Sequence, residues 1–324
     1  MNEKENVFTR GEDMKITIVG PGAMGCLLAA FLAKGKQEVW LLDKNPQRAE
    51  KIREQGIKVE GIGGSWLAKV NSAGEAKEIG GQDLVIVAVK AYDTKEAIAN
   101  IKPLLKEDTL ILTLQNGLGN IEIISEVYGQ DCVLGGVTNM GATLLGPGWV
   151  RYAGKGETVI GRLDGRIPVQ LRSIREVFNK SGIDARISKD IKSILWSKLI
   201  INVGINALTA ITGLNNGRLI EFEASRKILE AAVTEAVKAA KKKRIKLIYD
   251  EPLSKVEAVC EATSGNVSSM LQDVLKGRRT EIDFINGVIV RQAQGLGIAA
   301  PVNAALTGLV KTIEASYSLR VAKV

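Results

Sequence analysis

The sequence predicts an α/β protein: a Rossmann-like, doubly wound and mostly parallel sheet, followed by an all-helical C-terminal domain. Three observations predict it. From Met14 to about Ser188, short apolar runs alternate with helical stretches, the pattern of successive βαβ units. The turn Gly20-Pro21-Gly22-Ala23-Met24-Gly25 stands between the first such run and the first helix, the context that gives a G-x-G-x-x-G its meaning. Beyond about Ser188 only helical periodicity remains. The expected domains are therefore 14–188, binding a dinucleotide, and 189–324, carrying substrate groups. Residues 1–13 are polar, without an apolar signal core, and read as a disordered extension or a start upstream of the functional Met14.

Taken in order, Lys15–Val19 reads as a buried strand, Cys26–Ala33 as a helix, Glu38–Leu42 as a second strand and Pro46–Gln55 as a helix. Asp83–Val89 is a nearly continuous β-branched run, as a central strand covered on both faces requires. Leu110–Leu114 and Cys132–Val137 supply two more strands around a helix at Ile121–Tyr128. A glycine-rich passage, Gly141–Gly148, leads into antiparallel strand material at Trp149–Ile160. Helical periodicity then covers Ile191–Ala210, Ala224–Lys242, Pro252–Glu261, Glu281–Gln294 and Pro301–Tyr317.

Composition narrows the function. With 324 residues the chain is long enough for two cores. A net charge of +8 suits carboxylates and phosphates, but with 4% aromatic residues and dispersed charge no nucleic-acid partner is expected. The run Lys241-Lys242-Lys243-Arg244 reads as a solvated helix end. Cys26, Cys132 and Cys260 are isolated and histidine is absent, so neither a disulfide framework nor a transition-metal site is expected. No run of 18 uninterrupted apolar residues occurs, so no membrane span is expected, and the cytoplasm is the default location.

In the glycine turn, Gly20 permits the tight bend, Gly22 lets backbone approach a pyrophosphate, and Gly25 lets helix and strand pack closely. Pro21, Ala23 and Met24 complete the cofactor-facing turn. Asp43 ends the second strand, where an acid holds the ribose hydroxyls of NAD, whereas Lys44 and Arg48 can pair with the 2′-phosphate of NADP. The two cofactors stay open on these residues. Lys90 and Asn116 follow the ends of predicted strands, facing the side where ligands of open sheets bind; Asn116-Gly117 also reads as a plain turn.

Lys198, Asn202 and Asn206 recur four residues apart in a mostly apolar stretch, so they share one helix face. With no histidine present, a lysine or a carboxylate has to move any proton. Glu281 and Asp283 read as acids opening a helix after a Thr280 cap.

Taken together, several blocks resemble the ketopantoate reductase (2-dehydropantoate 2-reductase) family. They are the glycine turn, Val-Lys90-Ala, Gln-Asn116-Gly, Trp-Ser-Lys198-Leu with Asn202 and Asn206, and Ser-Ser269-Met-Leu-Gln-Asp followed by Thr-Glu281-Ile-Asp. The resemblance runs from Met14 to about residue 317. It implies NADPH-dependent reduction of a small keto acid, 2-dehydropantoate, to pantoate on the way to coenzyme A. It also implies Lys198 as the catalytic acid and Glu281 as the group orienting substrate. Asn116, Asn202, Asn206, Asn216 and Ser269 would lie around substrate and nicotinamide, Asn116 touching both, and Lys90 and Gly141 along the cofactor. Where the family often has arginine after the second strand, this chain has Lys44 preceded by Asp43, which keeps NAD possible. A related 2-keto acid reductase and a non-catalytic dinucleotide sensor are the competing expectations; a homodimer is possible.

Overall fold

The computed structural model describes residues 14–319; the expected extension at 1–13 lies outside them. The chain divides into two compact units. One is built from residues up to Gln115 together with Asn120–Ile191, the other from Asn116–Gly119 and from Lys192 onward.

The first unit contains, in chain order, β1 (Lys15–Val19), α1 (Ala23–Lys34), β2 (Glu38–Leu42), α2 (Pro46–Gln55), β3 (Ile57–Gly61), β4 (Trp66–Ala68), β5 (Asn71–Ala73), β6 (Gln82–Val87), α3 (Thr94–Ala99) and β7 (Leu105–Thr113). It continues with α4 (Asn120–Tyr128), β8 (Val133–Thr138), β9 (Gly141–Gly146), β10 (Trp149–Gly154), β11 (Thr158–Gly161), α5 (Val169–Lys180) and β12 (Ala185–Ile187). An eight-stranded sheet runs β12-β11-β8-β7-β6-β1-β2-β5. Its pairings are parallel except for β8 with β11. Ile16, Ile18, Leu84 and Ile86 are wholly buried, because helices cover both faces of such a sheet. Strand order reverses at β1: the chain first builds outward through β2, then crosses to β6 on the other side. That reversal is where a doubly wound sheet opens a crevice beyond its strand ends.

A second sheet, ordered β4-β3-β10-β9, was not legible as such. The expected glycine passage at Gly141–Gly148 is largely the strand β9. The expected antiparallel material at Trp149–Ile160 is two strands in different sheets: β10 pairs antiparallel with β9 and parallel with β3, while β11 joins the large sheet. α1 packs against both sheets, with Phe31 edge-on to Trp66 and Tyr152 at centroid distances of 5.6 and 5.4 Å. This explains why Gly25 through Leu32 are all buried and why the helix is apolar on every side. At the β12 rim, Asn179 Oδ1 accepts from Ala185 N at 3.0 Å and its Nδ2 donates to Ala185 O at 2.8 Å.

The second unit is helical: α6 (Ile191–Thr212), α7 (Arg218–Glu221), α8 (Glu223–Lys242), α9 (Pro252–Ala262), α10 (Ser269–Leu275), α11 (Asn286–Gly295) and α12 (Pro301–Ala315). α6 ends at Gly213, whose φ of 72° suits glycine and whose N–H bonds Thr209 O at 2.8 Å. By length and composition α6 could cross a membrane, but 72% of its most apolar window is buried inside the protein. Trp196, Leu199, Ile200, Val203 and Ala207 anchor it in a core shared with α8, α9, α11 and α12. The basic run at Lys241–Arg244 is exposed at the end of α8, as expected.

One expectation needs correction. Glu281 does not open the following helix. Residues Ile282–Phe284 form a short 3-10 turn, Ile285 leaves helical geometry, and α11 starts only at Asn286. Thr280 Oγ1 accepts from Ile282 N at 3.2 Å, so it caps that turn rather than the helix.

Candidate active site

The first unit carries the groups expected to hold a dinucleotide. Gly20 has φ +100°, and an added Cβ would lie 2.6 Å from Val89 Cγ1 and 2.9 Å from Val89 N. A Cβ on Gly25 would lie 2.1 Å from Gly20 O. Both glycines are thus required by close packing of the turn on itself and on the end of β6. Gly22 differs, since a Cβ there would meet nothing within 4 Å. It also caps α1 without a side-chain acceptor, so the N-terminal turn of α1 meets open space without its own anionic partner. A pyrophosphate fits that cradle on both counts. Pro21 is buried, and Ala23 and Met24 are half-buried in the first turn of α1.

Past β2, the two groups read as rivals for the ribose are joined to each other. Asp43 is 1% exposed, and Arg48 clasps it with Nε on Oδ2 and with Nη2 on Oδ1 at 2.6 Å. Asp43 also takes Asn45 N at 3.0 Å. Its charge is therefore matched inside the unit. Lys44 is exposed, and Glu96 at 3.2 Å and Asp93 at 3.7 Å raise its pKa, the Glu96 hydrogen bond most. Lys90 is half-buried at the end of β6 and opens the 3-10 turn Ala91–Asp93. Gly141 opens β9 opposite Gly154, where a Cβ would come 3.0 Å from Gly154 N.

Sequence reasoning missed the polar network beneath Lys90. Gln115 Nε2 donates to Val89 O at 2.9 Å and to Thr94 Oγ1 at 2.8 Å. Thr94 in turn lies within hydrogen-bond reach of Asn120 Oδ1 and Ala91 O. These bonds set the strand end from which Lys90 emerges; the buried Gln115 before Asn116 was the available signal.

The second unit carries the lysine row. Asn206 is 5% exposed and Asn202 half-buried. Neither amide hydrogen-bonds the side chain or backbone of another described residue. Buried amides seldom stay so, which marks this face for an external polar partner. Lys198 as a whole is half-buried, yet desolvation pushes its ammonium down from 10.5 to about 8, with the negative charge of Glu281 opposing. The structure thus brings Lys198 and Glu281 into electrostatic contact and buries Glu281 to 5% exposure. Its neighbour Asp283 is turned to the surface, where Lys311 meets it at 2.7 Å. The two acids of the motif are separated in role.

Asn116 belongs to the same unit as Glu281. Leu118 N donates to Phe284 O at 3.1 Å, and a Cβ on Gly117 (φ +85°) would meet that oxygen at 2.3 Å. The Asn116-Gly117 pair is a turn, and it is docked on the segment that carries Glu281. Ser269 is exposed in the first turn of α10, whose cap Ser268 reaches Thr209 of α6 at 2.6 Å. Asn216 sits past the far end of α6 with Nδ2 on Thr263 Oγ1 at 2.9 Å, leaving its buried Oδ1 without a partner. Among the described residues no cluster of three metal-ligating side chains occurs.

A nucleotide-type sheet with an uncapped glycine turn, joined to a helical unit bearing a depressed lysine, defines an oxidoreductase. Family models described as "Ketopantoate reductase PanE/ApbA" and its C-terminal counterpart match residues 16–165 and 190–314. A 2-dehydropantoate 2-reductase of Halobacterium salinarum is 36% identical over 92% of this chain and 98% of its own length. A PanE/ApbA family ketopantoate reductase from Ralstonia eutropha JMP134 superposes with a TM-score of 0.87 at 33% identity, covering 94% of this chain and all of the other. A D-mandelate dehydrogenase bound to NADH and anilino(oxo)acetate superposes equally well, TM-score 0.87 at 30% identity, covering 95% of this chain and 100% of the other. The chain belongs to the ketopantoate reductase family.

Proposed function

We propose that this enzyme reduces 2-dehydropantoate to pantoate, in pantothenate synthesis, with NADPH as reductant and Lys198 as the acid. The observation that carries the proposal is the Lys198 ammonium beside buried Glu281, its pKa lowered to about 8, on the helix face of two amides that have no partner among the described residues.

The reduced nicotinamide supplies hydride to the ketone carbon. The ketone oxygen gathers negative charge as that carbon is reduced, and the Lys198 ammonium both stabilises the charge and donates the proton that completes the alcohol. Lysine left neutral then regains a proton from water. A pKa near 8 keeps it largely charged at neutral pH while lowering the cost of giving the proton up. Asn202 and Asn206 hold the substrate and the ammonium in fixed orientation. Glu281 accepts a hydrogen bond from the substrate's hydroxyl. Ser269 and Asn116 donate to its carboxylate, and Asn216 completes the polar lining.

Gly20–Gly25 would hold the dinucleotide, with Lys90 and Gly141 contributing along it. Lys44 would meet a 2′-phosphate there, while the charge of Asp43 is already matched by Arg48. A second reading, another 2-keto acid with NADH, is favoured by the likeness to D-mandelate dehydrogenase.

Nicotinamide absorbance followed with ketopantoate and with phenylglyoxylate, under NADPH and NADH in turn, separates the two. Ketopantoate with NADPH should give the highest kcat/KM. Faster turnover of phenylglyoxylate would replace this reading with the second.

A further inference from the structure

A chain of buried polar groups in the helical unit has no part in the mechanism above. Glu235 of α8, 8% exposed, accepts Val302 N and Asn303 N at 2.9 Å each. Asn303 is fully buried, and its Nδ2 donates to Glu235 Oε2 at 2.8 Å and to Ala232 O at 3.0 Å. Asn303 Oδ1 accepts from Asn286 Nδ2 at 3.0 Å. Asn286, also fully buried, sends the same nitrogen to Val203 O at 3.2 Å. The chain thus runs from α8 through the start of α12 and the first residue of α11, and ends on the backbone of α6.

Its end point is what matters. Val203 is the residue after Asn202 on the helix that carries Lys198, and Asn286 follows Glu281 by one 3-10 turn and a non-helical Ile285. The turn's own bonds, Phe284 N to Glu281 O at 3.0 Å and Ile285 N to Ile282 O at 3.2 Å, stop at non-helical Ile285, so cross-links help to set its aim relative to α6. Other bonds fix the turn to neighbours that are not α6: Thr280 N to Glu314 at 2.6 Å, Asp283 to Lys311 at 2.7 Å, and Arg291 Nη2 to Asp283 O at 2.8 Å. The Asn286 bond ties the segment to α6 itself.

Stability alone is a poor account of this arrangement. Asn286 Oδ1 is buried without a partner, and an apolar residue would avoid that cost. Resting on the reading of Lys198 as acid, we propose that Asn286, braced by Asn303 and Glu235, is a positioning residue that fixes Glu281 and its turn against the Lys198–Asn202–Asn206 face of α6.

The test uses the full chain. Asn286→Ala removes both donations, and Asn286→Ser keeps one donor should the alanine variant fail to fold. Val310→Ala, a buried α12 position outside the polar chain, serves as a control of comparable destabilisation. The Asn286 variants should lose at least about tenfold in kcat, since small misplacements of reacting groups are costly, with NADPH affinity by fluorescence titration within about twofold of the parent. Val310→Ala should keep kcat within about twofold at a similar loss of Tm. An Asn286 variant that folds with parental kcat, or a control that loses kcat as much, would overturn the proposal. Failure of the parent chain to turn over any keto acid would instead sink the reductase reading, and retained turnover in Lys198→Ala would sink the acid assignment; either is separable from the result at Asn286.

Discussion

At the scale of residues, the proposal puts the chemistry on one lysine, whose environment would set the pH at which it works. Lys198→Ala should lower kcat by at least about 100-fold, the scale of losing an acid catalyst, with NADPH affinity unchanged; near-parental kcat would reject the assignment. With the ammonium form as the proposed donor, kcat/KM for reduction should be full below about pH 8 and fall as pH rises through it. Stability follows the opposite sign. The folded-state pKa is depressed below the ordinary 10.5, so the unfolded chain binds more protons between about 8 and 10.5. The contribution of this group is then greatest above 10.5 and lost as pH falls through about 8. Asp43 poses a different problem, since Arg48 saturates it. Asp43→Ala should free that guanidinium for a 2′-phosphate and raise the NADPH-to-NADH ratio of kcat/KM. An unchanged ratio would show that neither group senses that end of the cofactor.

At the scale of elements, glycines separate folding from binding. Gly22→Ala meets no atom within 4 Å, so its Tm should stay close to the parent's while dinucleotide affinity falls by about tenfold or more as the methyl enters the phosphate cradle. A parental affinity in that variant would argue that the turn is purely structural. Gly117→Ala should fail in another way: φ +85° and the Phe284 oxygen leave it no room, so the Asn116 loop must lift and kcat/KM should drop. These elements also show what could be read from sequence. β1, β2 and α2 were legible to the residue, because β-branched runs, a glycine turn and Pro46 at a helix start are local signals. The row on α6 was legible for the same reason, as helical spacing needs no tertiary information. β3, β4 and β5 were not: β4 and β5 have only three residues each, and β3 is set by a partner distant in sequence, as when Trp149 pairs with Lys58. The union of Asn116 with the Glu281 turn likewise depends on one backbone bond between remote segments. The start of α11 was misplaced because acids after a threonine look alike whether they open a helix or a single 3-10 turn.

At the scale of the whole molecule, the candidate dinucleotide groups and the proposed proton donor belong to separate compact units with separate cores. Binding and chemistry should therefore come apart on mutation. NADPH at about 100 times its Kd should stabilise the parent by about 2.7 kcal/mol, and Lys198→Ala should show the same thermal shift. A shift abolished in that variant would mean that the lysine takes part in holding the dinucleotide. One last feature bears on life at high concentration. The carboxamide of Asn179 occupies the amide and carbonyl that Ala185 would otherwise present at the outer rim of the large sheet. A neighbouring copy cannot pair with Ala185, so the start of this border is closed to the strand addition to which open sheet edges are prone.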